Sequence, residues 1–355
     1  MPLALPSRTL KAAALVGSGF ASIVRTRRAR ETTIMTFHGL CEGSGDMGIL
    51  DWSLHLPVEV FRSVCALLAA EYHVIPMSYF IEARSKKKTL PANSVVLTFD
   101  DGFESNFKLA YPILKRFNLP ATIYATTGFL DGTDVLWFQR IDLAFGRTRK
   151  ESLTWKINDR KLRLPLKTRK ERQDSLVELM PELKMLPDAD LLGEVNRLER
   201  ALCVDPPRLN DLPASMRPLT WADANQMISE GLIEIGGHTH THPILSRCES
   251  FSMKAEITTC RDRILAETGV APVSFAYPNG GEDDYAHETV KMVKSAGFKS
   301  ACTTMSGRVD AGSSLFQLPR YGSPESIWEA EATVSGAFET LKEWRQSCLK
   351  AMSMI

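Results

Sequence analysis

The sequence lacks cysteine pairs, internal repeats and any long apolar run. Its seven cysteines are scattered, with no CxxC pair, which argues against a disulfide framework or a cysteine-based metal site and favours reduced thiols. The formal net charge of +1 excludes the strong positive field that attracts nucleic acid. With 44% hydrophobic and 24% charged residues, the 355-residue chain is typical of a soluble globular protein with one large domain or two ordinary ones.

The N-terminal segment also lacks a clear export signal. Residues 11–24 are moderately apolar but interrupted by Gly and Ser, and the basic segment 25–30 follows without a clean cleavage site. We interpret residues 1–31 as a basic segment that forms an amphipathic or frayed helix. Its four arginines between 25 and 30 leave a peripheral membrane contact open. We therefore expect a cytoplasmic or membrane-peripheral location, and the oligomeric state is left open.

Short apolar segments that stop at polar clusters recur along the chain. Residues 32–37, 94–99, 232–237 and 273–278 are strand-length and apolar at successive positions, as in strands buried on both faces of a parallel sheet. Helical patterns lie between them, so the chain is predicted to be α/β with parallel strands joined by crossovers. All four polar clusters follow the carboxyl ends of their strands, where the active sites of such folds lie.

Residues 137–218 break this alternation. Segment 152–166 alternates apolar and polar residues around Asn158 and Asp159, which predicts a hairpin, and two amphipathic helices follow. We interpret this region as an inserted subdomain beside the mouth of the site. It would divide a barrel into halves at 32–136 and 219–330, with a C-terminal helix at 331–355.

Two groups of residues can bind a metal together. Three of the seven histidines stand at alternate positions, His238, His240 and His242, and the i,i+4 pair can face one way in a turn. Asp100 and Asp101 follow a buried strand, where adjacent carboxylates need a cation or donors. A helix cap is the alternative role for one of them. Two histidines and one carboxylate would leave positions open for water and substrate, as in catalytic metal sites.

The motifs that contain these residues resemble those of the polysaccharide deacetylases, carbohydrate esterase family four. The similarity rests on TFDDG at 98–102, HTHTHP at 238–243 and FAYPNG at 275–280, and it covers roughly residues 32–130 and 219–322. The last motif looks like that of the branch acting on poly-N-acetylglucosamine. The resemblance implies a deformed (β/α) barrel of seven or eight parallel strands, a divalent metal that is usually zinc, and removal of acetyl from N-acetylated sugars. It implies a saccharide partner and no nucleic acid.

The resemblance also implies roles for individual residues. Asp100 stands where the family has its general base. Asp101, His238 and His242 stand where it has its metal ligands, and His240 falls at a variable position. The backbone around residue 277 would help to hold the developing oxyanion, which makes Tyr277 and Asn279 candidate oxyanion or substrate contacts.

Two departures from the family pattern concern the base and the acid. The arginine that orients the base is absent from FAYPNG, and Arg320 in FQLPRYG is the expected substitute, with a structural salt bridge as its alternative role. The C-terminal histidine motif that supplies the general acid is also absent, because no histidine lies beyond His287. We expect His38, at the end of the first predicted strand, to be the acid, and His240 is the alternative.

The sequence therefore predicts a metal-dependent hydrolase that removes acetyl from N-acetylated sugars of a poly- or oligosaccharide. Two alternatives stay open: a related amidohydrolase acting on a small non-peptide amide, and a non-catalytic metal-containing saccharide-binding protein. A non-catalytic binding protein needs no general acid, so the absence of the C-terminal histidine motif favours the second alternative. Trp137 and Trp155, near the predicted mouth, can either stack on sugar rings or pack in the core.

Overall fold

The computed structural model describes residues 7–43, 49 and 54–352. Within them the strands are β1 Thr33–Phe37, β2 Gly39–Cys41, β3 His55–Pro57, β4 His73–Val74, β5 Ser94–Asp101, β6 Ala121–Ala125, β7 Ser152–Ile157, β8 Arg160–Pro165, β9 Ile233–Gly237, β10 Ser274–Ala276 and β11 Ser300–Cys302. The α-helices are α1 Ser7–Gly17, α2 Phe20–Arg27, α3 Val58–Glu71, α4 Met77–Ser85, α5 Tyr111–Phe117, α6 Thr127–Leu130, α7 Trp137–Arg147, α8 Arg169–Lys184, α9 Asp188–Leu202, α10 Trp221–Ser229, α11 Ser250–Thr268, α12 His287–Ser295, α13 Ile327–Val334 and α14 Ala337–Met352.

One parallel sheet organises the chain. Its strands follow the order β1-β5-β6-β9-β10-β11, and β4 pairs with the start of β5. Every pairing along this path is parallel. All eight residues of β5 are buried, including its two terminal aspartates, because helices cover one face of the sheet and the barrel interior lies on the other.

The sheet closes into a deformed barrel through the segment 318–321. Leu318 forms a parallel bridge with Cys302 of β11, and Tyr321 forms one with Met35 of β1. Hydrogen bonds from the Tyr321 N–H to Ile34 O, and from the Thr36 N–H to Tyr321 O, are 2.9 and 2.8 Å long. The predicted deformed (β/α) barrel is therefore confirmed, and residue 320 lies in the segment that closes it.

Residues alternate between the two sides of the sheet, as strand geometry requires. Met35, Leu97 and Ile123 belong to the core cluster that the helices α3, α5 and α10 complete. Ile34 and Val96, one position away, belong to a second cluster. Thr36, Thr98 and Asp100 continue this inner side, so polar side chains line the barrel interior near the carboxyl ends of the strands.

The hairpin and two helices predicted after residue 137 are present. Strands β7 and β8 pair antiparallel about the two-residue turn Asn158-Asp159, in which Asn158 has a φ of 52°. The leucines of α8 and α9 pack with the hairpin and with α7 in a cluster of their own. Asn158 and the neighbouring Arg160 also bond to Glu182 of α8, which fixes the hairpin on that helix.

The N-terminal helices pack on the barrel. Buried alanines join α1 and α2 to α13 and α14, and the Thr9 hydroxyl donates to Glu329 at 2.6 Å. Among the described residues, no helix is both long and apolar enough to cross a membrane. The membrane contact expected of this basic segment stays a prediction.

A buried ion pair between α7 and α9 provides a test of the insert. Glu199 is 1% exposed and accepts two hydrogen bonds from Arg140, at 2.6 and 2.9 Å. We expect Arg140→Met to lower the free energy of unfolding by about 3–5 kcal/mol, because it leaves the buried carboxylate of Glu199 without its partner. Urea denaturation measures the change. Asp174→Ala, which breaks the exposed ion pair with Lys170, is the control and should lower the free energy of unfolding by about 0–1 kcal/mol. Equal decreases in the two variants would contradict the prediction.

Candidate metal centre and active site

Asp100 is clamped by Arg320 in the barrel interior. Both side chains are nearly inaccessible, at 2% and 1% exposed, and two hydrogen bonds of 2.7 Å join the guanidinium to the carboxylate oxygens. Arg320 also donates to the Thr303 carbonyl and to the hydroxyls of Thr36 and Thr98. Burial raises the pKa of Asp100, but the charge of Arg320, the charge of His238 and the hydrogen bonds from Arg320 together outweigh burial and hold that pKa below its usual value.

The structure brings Asp101, His238 and His242 together. Asp101 Oδ1 lies 3.5 Å from His238 Nε2 and 3.4 Å from His242 Nε2, and all three side chains are buried. The sheet register explains this proximity: β5 pairs Asp101 with Ala125 of β6, and the His238 N–H donates to the Ala125 carbonyl. The ends of β5 and β9 therefore meet across β6.

Local backbone geometry turns the ligand candidates toward one point. Asp101, Thr239 and His242 have positive φ angles of 71°, 65° and 65°, which are rare for residues with a Cβ and cluster at functional sites. The Thr239 hydroxyl accepts the His242 N–H at 3.0 Å. Glu256 of α11 accepts the N–H groups of residues 240 and 241, both at 2.8 Å, which ties the loop to that helix.

These residues fit a divalent metal. Asp101 Oδ1 is buried and makes no hydrogen bond. Four ligands about 2.0–2.1 Å from zinc in a tetrahedron lie about 3.3–3.4 Å apart, close to the separations observed here. His238 Nδ1 is 2.8 Å from the Ala276 carbonyl, which assigns the proton to Nδ1 and leaves Nε2 as a ligand. Burial lowers the pKa of His242 to about 4, so its imidazole is neutral, as a ligand must be.

The remaining histidines of the sequence prediction lie in different places. His38 follows β1, lines the same cavity as both aspartates, and lies close enough for its charge to lower the pKa values of Asp100 and Asp101. His240 is not among the residues lining that cavity. Its Nδ1 lies 2.8 Å from the Thr127 hydroxyl of α6. The structure therefore brings His38, and not His240, into the cavity with both aspartates.

The groups of Tyr277 itself are occupied. Its N–H donates to the Cys302 carbonyl, and its hydroxyl donates to the Phe316 carbonyl. The expectation that the backbone around residue 277 holds the oxyanion stays a prediction, which these two bonds shift toward the neighbouring residues. Asn279 does line the cavity, with φ at 57° and a buried Nδ2 that has no acceptor in the described chain.

The cavity above these groups has a volume of about 480 Å³. Sequence reasoning missed part of its lining, which comes from the insert: the stretch 177–184 of α8 supplies four of the side chains. Trp137 and Phe138 of α7 also line it, whereas Trp155 is 5% exposed within the insert's own cluster. Phe138 packs edge-on against the His242 ring at 5.2 Å. No local signal in the sequence marks these contacts, because they depend on how the insert folds back.

Comparisons with known proteins agree with this geometry. The polysaccharide deacetylase family model matches residues 87–162 and 192–301. Poly-beta-1,6-N-acetyl-D-glucosamine N-deacetylase of Escherichia coli K12 is 40% identical over 57 residues, a segment that spans 16% of this chain and 8% of that protein.

Solved structures show the same fold. The Streptococcus pyogenes deacetylase PplD in complex with acetate aligns with a TM-score of 0.57 and 17% identity, covering 86% of this chain and 98% of that one. IcaB from Ammonifex degensii aligns with a TM-score of 0.54 and 14% identity, covering 86% and 97%. At these identities the likeness is one of fold. Since the family model covers more than half of the sequence, the chain belongs to the polysaccharide deacetylase family.

Proposed function

We propose that this protein is a metal-dependent hydrolase that removes acetyl groups from N-acetylated sugars of a poly- or oligosaccharide. One observation carries the proposal: the triad Asp101, His238 and His242 and the clamped carboxylate of Asp100 face the same cavity. The names of the similar proteins support the substrate class, since one of them acts on poly-β-1,6-N-acetylglucosamine.

The triad Asp101, His238 and His242 would hold the cation. When bound, a divalent cation such as zinc polarises an amide carbonyl and acidifies water. Asp100 accepts the proton of the attacking water, and Arg320 keeps its carboxylate ionised and fixed in orientation. Asp100 and Asp101 carry two negative charges and Arg320 carries one positive charge, so the site has a net negative charge that favours a bound cation.

His38 and Asn279, which line the same cavity, would complete the chemistry. The amine of a sugar is a poor leaving group until it receives a proton, and His38 would donate that proton. The unpartnered Nδ2 of Asn279 donates to the oxygen on which negative charge develops. Acetate and a free amine are the products.

Metal content provides the first test of this assignment. We expect Asp101→Ala, His238→Ala and His242→Ala to lower bound zinc from about one equivalent to near zero, because three protein ligands are needed for a stable site. Mass spectrometry of the purified, zinc-dialysed protein measures it. His240→Ala is the matched control and should keep the metal; retention of one equivalent by Asp101→Ala would refute the site.

Arg320→Met tests the clamp on Asp100. At pH 7 we expect the free energy of unfolding to fall by about 3–5 kcal/mol, because Asp100 is left buried and charged. The pKa of Asp100 lies below its unfolded value of about 3.9. The pair's contribution is therefore present above pH ~4 and is lost as the pH falls through the folded pKa.

Urea denaturation of metal-free protein from pH 7 down to about pH 2 separates the loss of the charge pair from the loss of side-chain packing. The difference between wild type and variant should shrink at the acidic end. The control is Arg62→Met, which removes an exposed guanidinium paired with Glu59. If the difference in the free energy of unfolding between wild type and Arg320→Met stayed constant with pH, Arg320 would stabilise the protein by packing alone.

Acetate release separates the base from the acid. On an N-acetylglucosamine oligosaccharide we expect Asp100→Asn and His38→Ala each to lower kcat at least about a hundredfold while zinc is retained. On an N-acetylated arylamine, whose leaving group needs less help from an acid, His38→Ala should recover much of its rate and Asp100→Asn should not. Equal losses on both substrates would rule out His38 as the acid, and near-wild-type turnover by Asp100→Asn would rule out the base.

A further inference from the structure

Helix α8 of the insert carries two apolar stripes, and only one of them packs in the core. Leu176, Leu179 and Leu183 are each 0% exposed within the insert's cluster. The adjacent stripe at positions 177, 180, 181 and 184 lines the cavity that contains the metal-ligand triad. Such i, i+3, i+4, i+7 spacing ordinarily faces protein. Here it faces the reacting centre, and we name these four residues the α8 wall: Val177, Met180, Pro181 and Lys184.

The first three side chains of the α8 wall are aliphatic or thioether groups. Val177 is 68% exposed, so the core does not account for it. Side chains of this kind donate no hydrogen bonds to sugar hydroxyls and have no aromatic face for a pyranose ring. An apolar part of a substrate, which gains by leaving water, matches them better than a further sugar does.

The fourth residue of the wall places a cation in the same cavity. Among the described residues, the Lys184 ammonium has neither a hydrogen bond nor an ion pair, and burial lowers its pKa while the charge of Asp284 acts against this. Trp137, which also lines the cavity, has a buried Nε1 without an acceptor among the described residues. Of the two carboxylates in the cavity, Asp100 is bonded to Arg320 and Asp101 belongs to the metal-ligand triad. Lys184 and Trp137, which have no role in the proposed hydrolysis, are donors, so their complement is an acceptor-rich anion.

We propose that the α8 wall selects an N-acetylated saccharide joined through a phosphate to an apolar chain. This inference rests on the proposed deacetylation and names the substrate class for that site. Lys184 receives the phosphate as a point charge, Val177 and Met180 cover the first carbons of the chain, and the acetamido group reaches the metal-ligand triad. A neutral polymer would leave Lys184 without a partner and the aliphatic stripe in water.

Equilibrium binding tests the wall independently of turnover. Calorimetry on the full-length protein would compare four probes below their micelle concentrations: the octyl phosphodiester of N-acetylglucosamine, its 1-phosphate, its octyl glycoside, and a neutral N-acetylglucosamine tetrasaccharide. We expect the phosphodiester to bind at least about tenfold more tightly than the tetrasaccharide. Lys184→Met should raise Kd for the two phosphorylated probes about tenfold. Val177→Ser should raise Kd for the two octyl probes about fivefold.

Matched controls lie on the same insert. Lys170→Met removes an exposed cation at the start of α8, and Leu192→Ser removes an exposed apolar side chain of α9; both should leave all four Kd values unchanged. The proposal fails if the tetrasaccharide binds as tightly as the phosphodiester, or if Lys184→Met changes all four Kd values equally. The expected order of Kd values without acetate release would refute the proposed function and leave the wall's selectivity standing.

Discussion

The buried pair of Asp100 and Arg320 is the interaction on which the site depends. It joins the central strand β5 to the segment that closes the barrel, and it reaches β1 through the hydroxyl of Thr36. Two charges in this interior are stable only together. The same contact therefore closes the barrel, keeps one carboxylate ionised, and leaves the adjacent Asp101 free to turn toward the histidines. The Asp100–Arg320 contact therefore contributes both to the fold and to the proposed chemistry.

Much of this arrangement could be predicted from the sequence because its signals are local. Apolar segments that end in polar residues identified the principal strands, and the alternation around Asn158 identified the hairpin. The ends of parallel strands meet at one edge, so Asp101 and the pair His238 and His242 were expected to converge. Arg320 was also expected to lie beside Asp100, and the structure shows that contact. The catalytic roles themselves stay predictions.

The rest depends on contacts that no local pattern encodes. Residues 73–79 are apolar enough for a longer strand, but β4 ends at Val74 and α4 begins at Met77, because Pro76 caps that helix and the residues after it pack on the barrel. The backbone around residue 277 was expected to contact the oxyanion, but no local pattern shows that the N–H of Tyr277 itself donates to Cys302 of β11. The insert's leucines predicted amphipathic helices and a solvated face; they could not show that one side of α8 turns to the cavity.

The position of the closing segment late in the sequence also determines when its contacts can form during translation. Arg320 leaves the ribosome 220 residues after Asp100, roughly ten to forty seconds later at ordinary elongation rates. Until then the carboxylate has no guanidinium to bury against, and β5 cannot take its final environment without leaving a charge uncompensated. The ion pair that joins β5 to the closing segment therefore forms only after most of the chain has been translated. A chain that stalls between residues 242 and 320 would contain Asp101, His238 and His242 and still lack the guanidinium that fixes the Asp100 carboxylate.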